Sequence, residues 1–269
     1  MMAMHVDEDW WKGLFDEVYL LTDARSVCND ALTAQEVDFL IRVLRPERDA
    51  PILDLCGGQG RHSLELSRRG FMNVTVLDYS RCLVDLGKRR ARQENLETRF
   101  IQADARNTGL SAQSFRHIII MASSFGYFVN DDENRRLLTE AFRLLEPQGL
   151  VLLDLPDRDH VVRNFKPFSS HEVDADITVT RERILGDDII YSREMVMSES
   201  KGCVRATTYC TRLYTEQRIS ALLRSAGFSS IECTKGFMNR ARQGDFGCMT
   251  NRMIVTAHKD SDSNNAILQ

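Results

Sequence analysis

The residues Ile52-Leu53-Asp54-Leu55-Cys56-Gly57-Gly58-Gln59-Gly60-Arg61-His62 combine features that suit ligand binding. An apolar run ends in an acid, a glycine-rich turn follows, and Leu64, Leu66 and Arg68 continue at helical spacing. A strand, tight turn and helix start of this kind present backbone N–H groups to a ligand. Glycines let that ligand approach where a Cβ would clash. A second apolar run, Val74-Thr75-Val76-Leu77, ends at Asp78. A carboxylate there can accept hydrogen bonds from two ribose hydroxyls. The chemistry indicated is recognition of a nucleoside-containing ligand.

The pattern Asp54-x-Cys56-x-Gly58-x-Gly60, followed by Asp78, resembles motifs I and II of the class I S-adenosylmethionine-dependent methyltransferases. Cys56 stands where the first glycine of that family is usual. The resemblance runs in ordered motifs from Ala50 to Pro156 and more loosely to the C-terminus. It implies an α/β, Rossmann-like seven-stranded sheet with helices on both faces, and S-adenosyl-L-methionine as cofactor. It also implies that Asp54 lies near the methionine amino group. Asp104 would accept from the adenine amino group, and the Ala105 N–H would meet a ring nitrogen. Tyr79 would lie against the adenine face, and Met121 would end the strand beside the methionine part. Cys56, Gly57, Gly58, Gly60, Arg61 and Asp78 complete the expected cofactor site, with Tyr19 contributed by the N-terminal segment. A nicotinamide or flavin dinucleotide fold is the nearest competitor. Its G-x-G-x-x-G fingerprint would put Ser63 at the third glycine, and Asp54 would repel a pyrophosphate.

The chain has 269 residues, 43% of them hydrophobic, enough for one sizeable α/β domain with a small insertion. The formal net charge of −4 offers no large basic excess for nucleic acid. The clusters Lys88-Arg89-Arg90 and Arg240 with Arg242 read as solvated faces. Seven scattered cysteines show no CxxC and no Cys/His metal spacing, so no metal is expected. Their odd number, without a secretory signal, fits reduced thiols in the cytoplasm. No apolar run is long enough to span a membrane. The expected assembly is a monomer or homodimer.

Three parts are expected: an N-terminal helical cap over 1–48, a cofactor-binding domain over 49–259, and a disordered tail over 260–269. In the cap, Trp10, Trp11, Leu14, Phe15, Val18, Tyr19 and Leu20 recur at helical spacing. Thr33-x-x-Glu36 reads as a capping box opening a second helix. Alternating strands and helices follow, with strands over 52–56, 74–78, 99–102, 117–121 and 150–155. Continuous apolar strands in such alternation predict a parallel sheet covered on both faces. Ligands then bind outside the carboxyl ends of the strands, where Asp54, Asp78, Asp104 and Met121 fall. Residues 177–185, 188–197 and 203–213 read as three β segments joined by turns at Gly186-Asp187 and Ser200-Lys201-Gly202. They form an antiparallel β insertion at about 172–214, after the fifth strand. A helix from Thr215 and strands over 230–234 and 253–258 close the chain.

For the acceptor side, Phe125-Gly126-Tyr127 resembles a motif common among small-molecule methyltransferases, and there is no Asn-Pro-Pro-Tyr/Phe motif. The expected substrate-binding residues are Phe15, Phe125, Tyr127, Arg158, Tyr209, Arg212 and Tyr214. Arginines among them could take an acceptor carboxylate bidentately. Core packing is the reading preferred for Phe128. Methyl transfer from a sulfonium is an in-line displacement, so positioning can supply much of the acceleration. A base is needed only if the acceptor must lose a proton. His160 and Tyr127 are the candidates carried forward; His62, in the glycine turn, reads as a cofactor or structural residue. The function expected is methyl transfer to a small-molecule acceptor at N, O, S or C. The alternatives are an RNA-directed methyltransferase and a non-catalytic S-adenosylmethionine-binding regulatory module.

Overall fold

The computed structural model describes residues 4–23, 27–237 and 250–261. The helices are α1 (Trp11–Leu14), α2 (Glu17–Thr22), α3 (Asp30–Leu44), α4 (Arg61–Arg68), α5 (Arg81–Gln93), α6 (Asp131–Leu144), α7 (Arg158–Arg163) and α8 (Glu216–Ser225). The strands of the main sheet are β1 (Ile52–Leu55), β2 (Val74–Asp78), β3 (Arg99–Gln102), β4 (Phe115–Ile120), β5 (Leu145–Pro156), β10 (Ser229–Phe237) and β11 (Arg252–His258). Four more, β6 (Phe168–Glu172), β7 (Ile177–Gly186), β8 (Ile189–Ser198) and β9 (Gly202–Arg212), form a separate antiparallel sheet.

The main sheet has the order β10-β11-β5-β4-β1-β2-β3. β1 to β5 run parallel, and β11 pairs antiparallel with both β5 and β10. This is the Rossmann-like arrangement expected, with helices around a mixed seven-stranded sheet. The two-residue strand period separates its faces. Leu53, Leu55, Ile118, Ile120 and Leu153 pack in one core cluster with Leu137, Leu138 and Leu223. Ile52, Ile119 and Leu152 pack in another with Val37, Leu40 and Leu44 of α3. Between β1 and β4 the chain order reverses, and the loops after their carboxyl ends open a crevice there.

Local signals set most element ends. Ser80 accepts from the Leu83 N–H and caps α5, and Thr215 accepts from the Arg218 N–H and caps α8. Gly227 holds φ +105° just past α8.

Several expectations are corrected. The Thr33–Glu36 capping box does not form. Asn29 caps α3 one turn earlier by accepting from the Leu32 N–H, Thr33 Oγ1 donates to the Asn29 carbonyl, and Glu36 is wholly buried. The N-terminal aromatic helix is broken at Phe15, because the Asp16 side chain accepts from the Tyr19 N–H and starts α2 afresh. The insertion sheet begins earlier than expected, with the polar strand β6 pairing along β7. Its β7–β8 turn is Asp187-Asp188 rather than Gly186-Asp187. Both turn residues have positive φ, the twist a two-residue hairpin requires. Arg240, Arg242 and residues 262–269 of the expected tail lie outside the described residues.

Candidate active site

The crevice is a cleft of about 1020 Å³ counting its open mouth, the scale of a small-molecule site. Its floor is the glycine turn. Cys56 adopts φ +62° there, the left-handed region that disfavours a side chain. Gly57 has no room for a side chain, since a Cβ would stand 2.6 Å from Asp54 Cγ. All of the expected cofactor residues except Gly60 line the cleft: Tyr19, Asp54, Cys56, Gly57, Gly58, Arg61, Asp78, Tyr79, Asp104, Ala105 and Met121. Gly60 instead caps α4 from beneath, with φ +72°, and a Cβ there would meet the Phe100 ring at 2.7 Å.

The polar groups sit in distinct surroundings. Asp54 is wholly buried, and its Oδ2 accepts from Ser63 Oγ at 2.8 Å. Burial pushes its carboxyl up to about 7, against the Ser63 hydrogen bond and the Arg61 charge. Asp54 Oδ1 and Arg61 Nη2 are buried and have no hydrogen-bond partner among the described residues. Both residues line the cleft, and an acceptor and a cationic donor left without partners fit the ammonium and carboxylate of an amino-acid group, which S-adenosylmethionine carries. Asp78 Oδ2 accepts from the Gly58 N–H and Oδ1 from the Ser80 N–H. Asp104 is clamped by Arg106 through both carboxylate oxygens, and Arg106 continues to Glu133.

The N-terminal segment covers this cleft. Trp11, Phe15, Tyr19 and Leu20 line it. Phe15 stacks on Tyr127 with centroids 5.5 Å apart, and Trp11 meets Tyr79 edge-on at 4.7 Å. Arg106 lies over both the Trp11 and Phe128 rings. Ser80 Oγ donates to the Phe15 carbonyl, and Trp10 Nε1 to the Tyr127 carbonyl. From the insertion sheet, Arg205 donates to Asp16 and the Leu14 carbonyl, and Arg181 to Asp23. Glu194, only 2% exposed, accepts from both arginines.

The expected substrate residues divide. Phe15 and Tyr127 line the cleft, whereas Phe125, Arg158, Tyr209, Arg212 and Tyr214 do not. Phe125 is core, 5.4 Å from the Tyr214 ring. The Tyr214 hydroxyl donates to Asp131 Oδ1. Arg212 donates to the Val129 carbonyl, Arg158 pairs with Asp188 and Asp159, and Tyr209 packs on Trp10. His160 sits in α7, away from the cleft lining. His62 donates into Glu36 and is held neutral, its pKa lowered by burial to about 4. Conversely, Phe128, expected in the core, lines the cleft, as do Gln59, Ser124 and Leu137, which are not among the expected site residues. Gln59 is the one with a signal, lying inside the glycine turn; it bonds the Val27 carbonyl and Arg90.

Residues 52–149 match the model of the methyltransferase domain. The chain carries a class I S-adenosylmethionine-dependent methyltransferase domain. Its cofactor is S-adenosylmethionine, the group its unpartnered buried atoms fit. This methyltransferase is 28% identical to a glycine/sarcosine N-methyltransferase of Halorhodospira halochloris, over 59% of this chain and 57% of that one. It is 26% identical to the ubiquinone/menaquinone biosynthesis C-methyltransferase UbiE of Zymomonas mobilis, over 54% of this chain and 57% of that one. The chain thus spans less than two thirds of either relative. An S-adenosylmethionine-dependent methyltransferase from Clostridium acetobutylicum shares the fold, with a TM-score of 0.72 at 15% identity, over 91% of this chain and 97% of that one. Among its described residues the methyltransferase has no helix long and apolar enough to cross a membrane, and no group of side chains that would hold a metal.

Proposed function

We propose that this methyltransferase acts on a small organic molecule, and that the atom methylated is an amine nitrogen. The observation that carries this reading is the aromatic wall of the cleft, built by Trp11, Phe15, Tyr19, Tyr127 and Phe128. In this reading Asp54 and Arg61 would hold the amino-acid end of the cofactor, Asp78 its ribose, and Asp104 with Ala105 its adenine. A carboxylate has about four lone-pair sites, so Arg106 leaves Asp104 able to accept more.

S-adenosylmethionine, when bound, supplies a methyl group on a sulfonium, whose departure needs little help. The chain's residues then orient the acceptor and exclude water. Tyr127 carries a phenol pushed well above its ordinary value by burial, and Tyr19 likewise. Both remain neutral at physiological pH and are poor bases. A neutral amine needs no proton removed before attack, unlike a phenol or a carbon acid. Aromatic faces also favour the positive charge that develops on nitrogen. The N-methylating relative agrees with this reading; the C-methylating one makes carbon acids a necessary arm of the test.

Formation of S-adenosylhomocysteine would be followed with panels of small amines, phenols, thiols, carbon acids and tRNA. Turnover on amines is expected. Turnover confined to carbon acids or phenols would overturn the acceptor atom, and turnover confined to tRNA would overturn the small-molecule reading.

A further inference from the structure

Arg252 is the bulkiest of the fully buried side chains, at 0% exposure. A cation so removed from water must be paired, and its two Nη groups go to carboxylates from different parts of the fold. Nη1 donates to Asp154 Oδ2 in β5, and Nη2 to Glu36 Oε1 in α3. The far oxygen of Glu36 takes Arg61 and His62, the first residues of α4, which both line the cleft. The same Asp154 Oδ2 accepts from the Ala122 N–H at 2.9 Å, and the Asp154 carbonyl accepts from the Ser123 N–H at 3.1 Å. Ala122 and Ser123 hold φ of +58° and +60°, a conformation that L side chains rarely adopt. Met121, Ala122 and Ser124 line the cleft beside them.

Stability alone is a poor reason for such a cluster, since well-packed apolar side chains of the same volume often serve as well or better. Here one end of the ion-pair chain stops at the start of α4 and the other at a strained turn, and both ends are walls of the cleft. We propose that Arg252 is a positioning residue for the amino-acid end of the cofactor. It fixes the 121–124 turn and the start of α4 at a set separation through Asp154 and Glu36. Arg252 itself does not line the cleft.

The inference rests on the cofactor assignment and on the residues proposed to hold its amino-acid end. The test compares S-adenosylhomocysteine with 5′-methylthioadenosine, the same nucleoside without the amino-acid end, by titration calorimetry. Arg252→Met is expected to bind S-adenosylhomocysteine about tenfold more weakly while methylthioadenosine changes less than about twofold. Arg252→Lys is expected to recover part of the loss. Circular dichroism checks folding. If Arg252→Met does not fold, Asp154→Asn, which keeps the side-chain shape, is expected to show the same selective loss. Equal weakening of both ligands, or no weakening of either in a folded variant, would overturn the positioning role. Wild-type protein that binds neither ligand would instead overturn the cofactor assignment.

Discussion

Asp78 Oδ2 lies 2.7 Å from the backbone nitrogen of Gly58, twenty residues earlier in the chain. The second oxygen of the same carboxylate accepts from the Ser80 N–H at 2.8 Å. One side chain at the end of β2 therefore fixes both the glycine turn and the start of α5, and it still faces the cleft. Asp78→Ala removes two charge-assisted hydrogen bonds and the proposed ribose acceptor. Each such bond is worth roughly 1.5–3 kcal/mol. Calorimetry should give S-adenosylmethionine and S-adenosylhomocysteine affinities lowered by at least about tenfold. NADH should bind neither protein; saturable NADH binding to wild type would refute the assignment.

Asp54 makes the site sensitive to pH. Its carboxyl is raised to about 7, chiefly by burial. The ionised form is the one that suits an ammonium, so S-adenosylhomocysteine affinity should rise from pH 5 to about 7 and level off near the α-amino pKa of about 8. Asp54→Asn should bind more weakly and lose that rise. Stability runs the other way. A folded-state pKa above the unfolded value contributes stability below about pH 4 that is lost as pH climbs through 7. Asp154, raised to about 6 by burial against the Arg252 charge, acts in the same sense. The melting temperature of ligand-free wild type relative to Asp54→Asn should therefore fall across that window. A constant difference would contradict the assigned shift.

The insertion sheet should be needed to hold the N-terminal segment in place. Glu194→Ala leaves Arg181 and Arg205 without their shared carboxylate. Breaking a buried pair in this way costs about 3–5 kcal/mol, measurable by chemical denaturation. The only two tryptophans of the chain, Trp10 and Trp11, are in this segment. Their fluorescence should change on S-adenosylhomocysteine binding and should resemble that of a solvated indole in Glu194→Ala. A variant with unchanged emission would show that the segment is held by something else.

Phe125 and Tyr127 are two residues apart yet belong to different regions. Phe125→Ala should lower stability by about 3–5 kcal/mol, as removal of a core aromatic does, with ligand affinity retained in the folded fraction. Tyr127→Phe should leave both stability and turnover within about threefold, since the neutral phenol is not asked to move a proton. A loss of a hundredfold or more in Tyr127→Phe would make its hydroxyl a participant in the chemistry.

Much of the site was legible before the fold. Asp54, Gly57, Gly58 and Asp78 announce themselves because strand ends and tight turns are written in short stretches of sequence. Their neighbours in space are largely their neighbours in the chain. Most of the strand spans, the helix start at Thr215 and most of the β insertion were legible for the same local reason. Glu36 shows the limit. Its spacing from Thr33 fits a capping box, but a buried carboxylate prefers two guanidinium groups and an imidazole, and those come from α4 and β11.

By itself, then, the sequence determined the alternation of strands and helices, the glycine turn and the acids at the strand ends. Only the tertiary structure decided that Arg158, Arg212 and Tyr214 turn away from the cleft to Asp188, Val129 and Asp131, while Trp11 and Phe128 turn into its lining. Periodicity fixes which face of an element a residue occupies. A long polar or aromatic side chain then ends wherever folding brings a partner within about 3 Å, and that partner lies tens to hundreds of residues away.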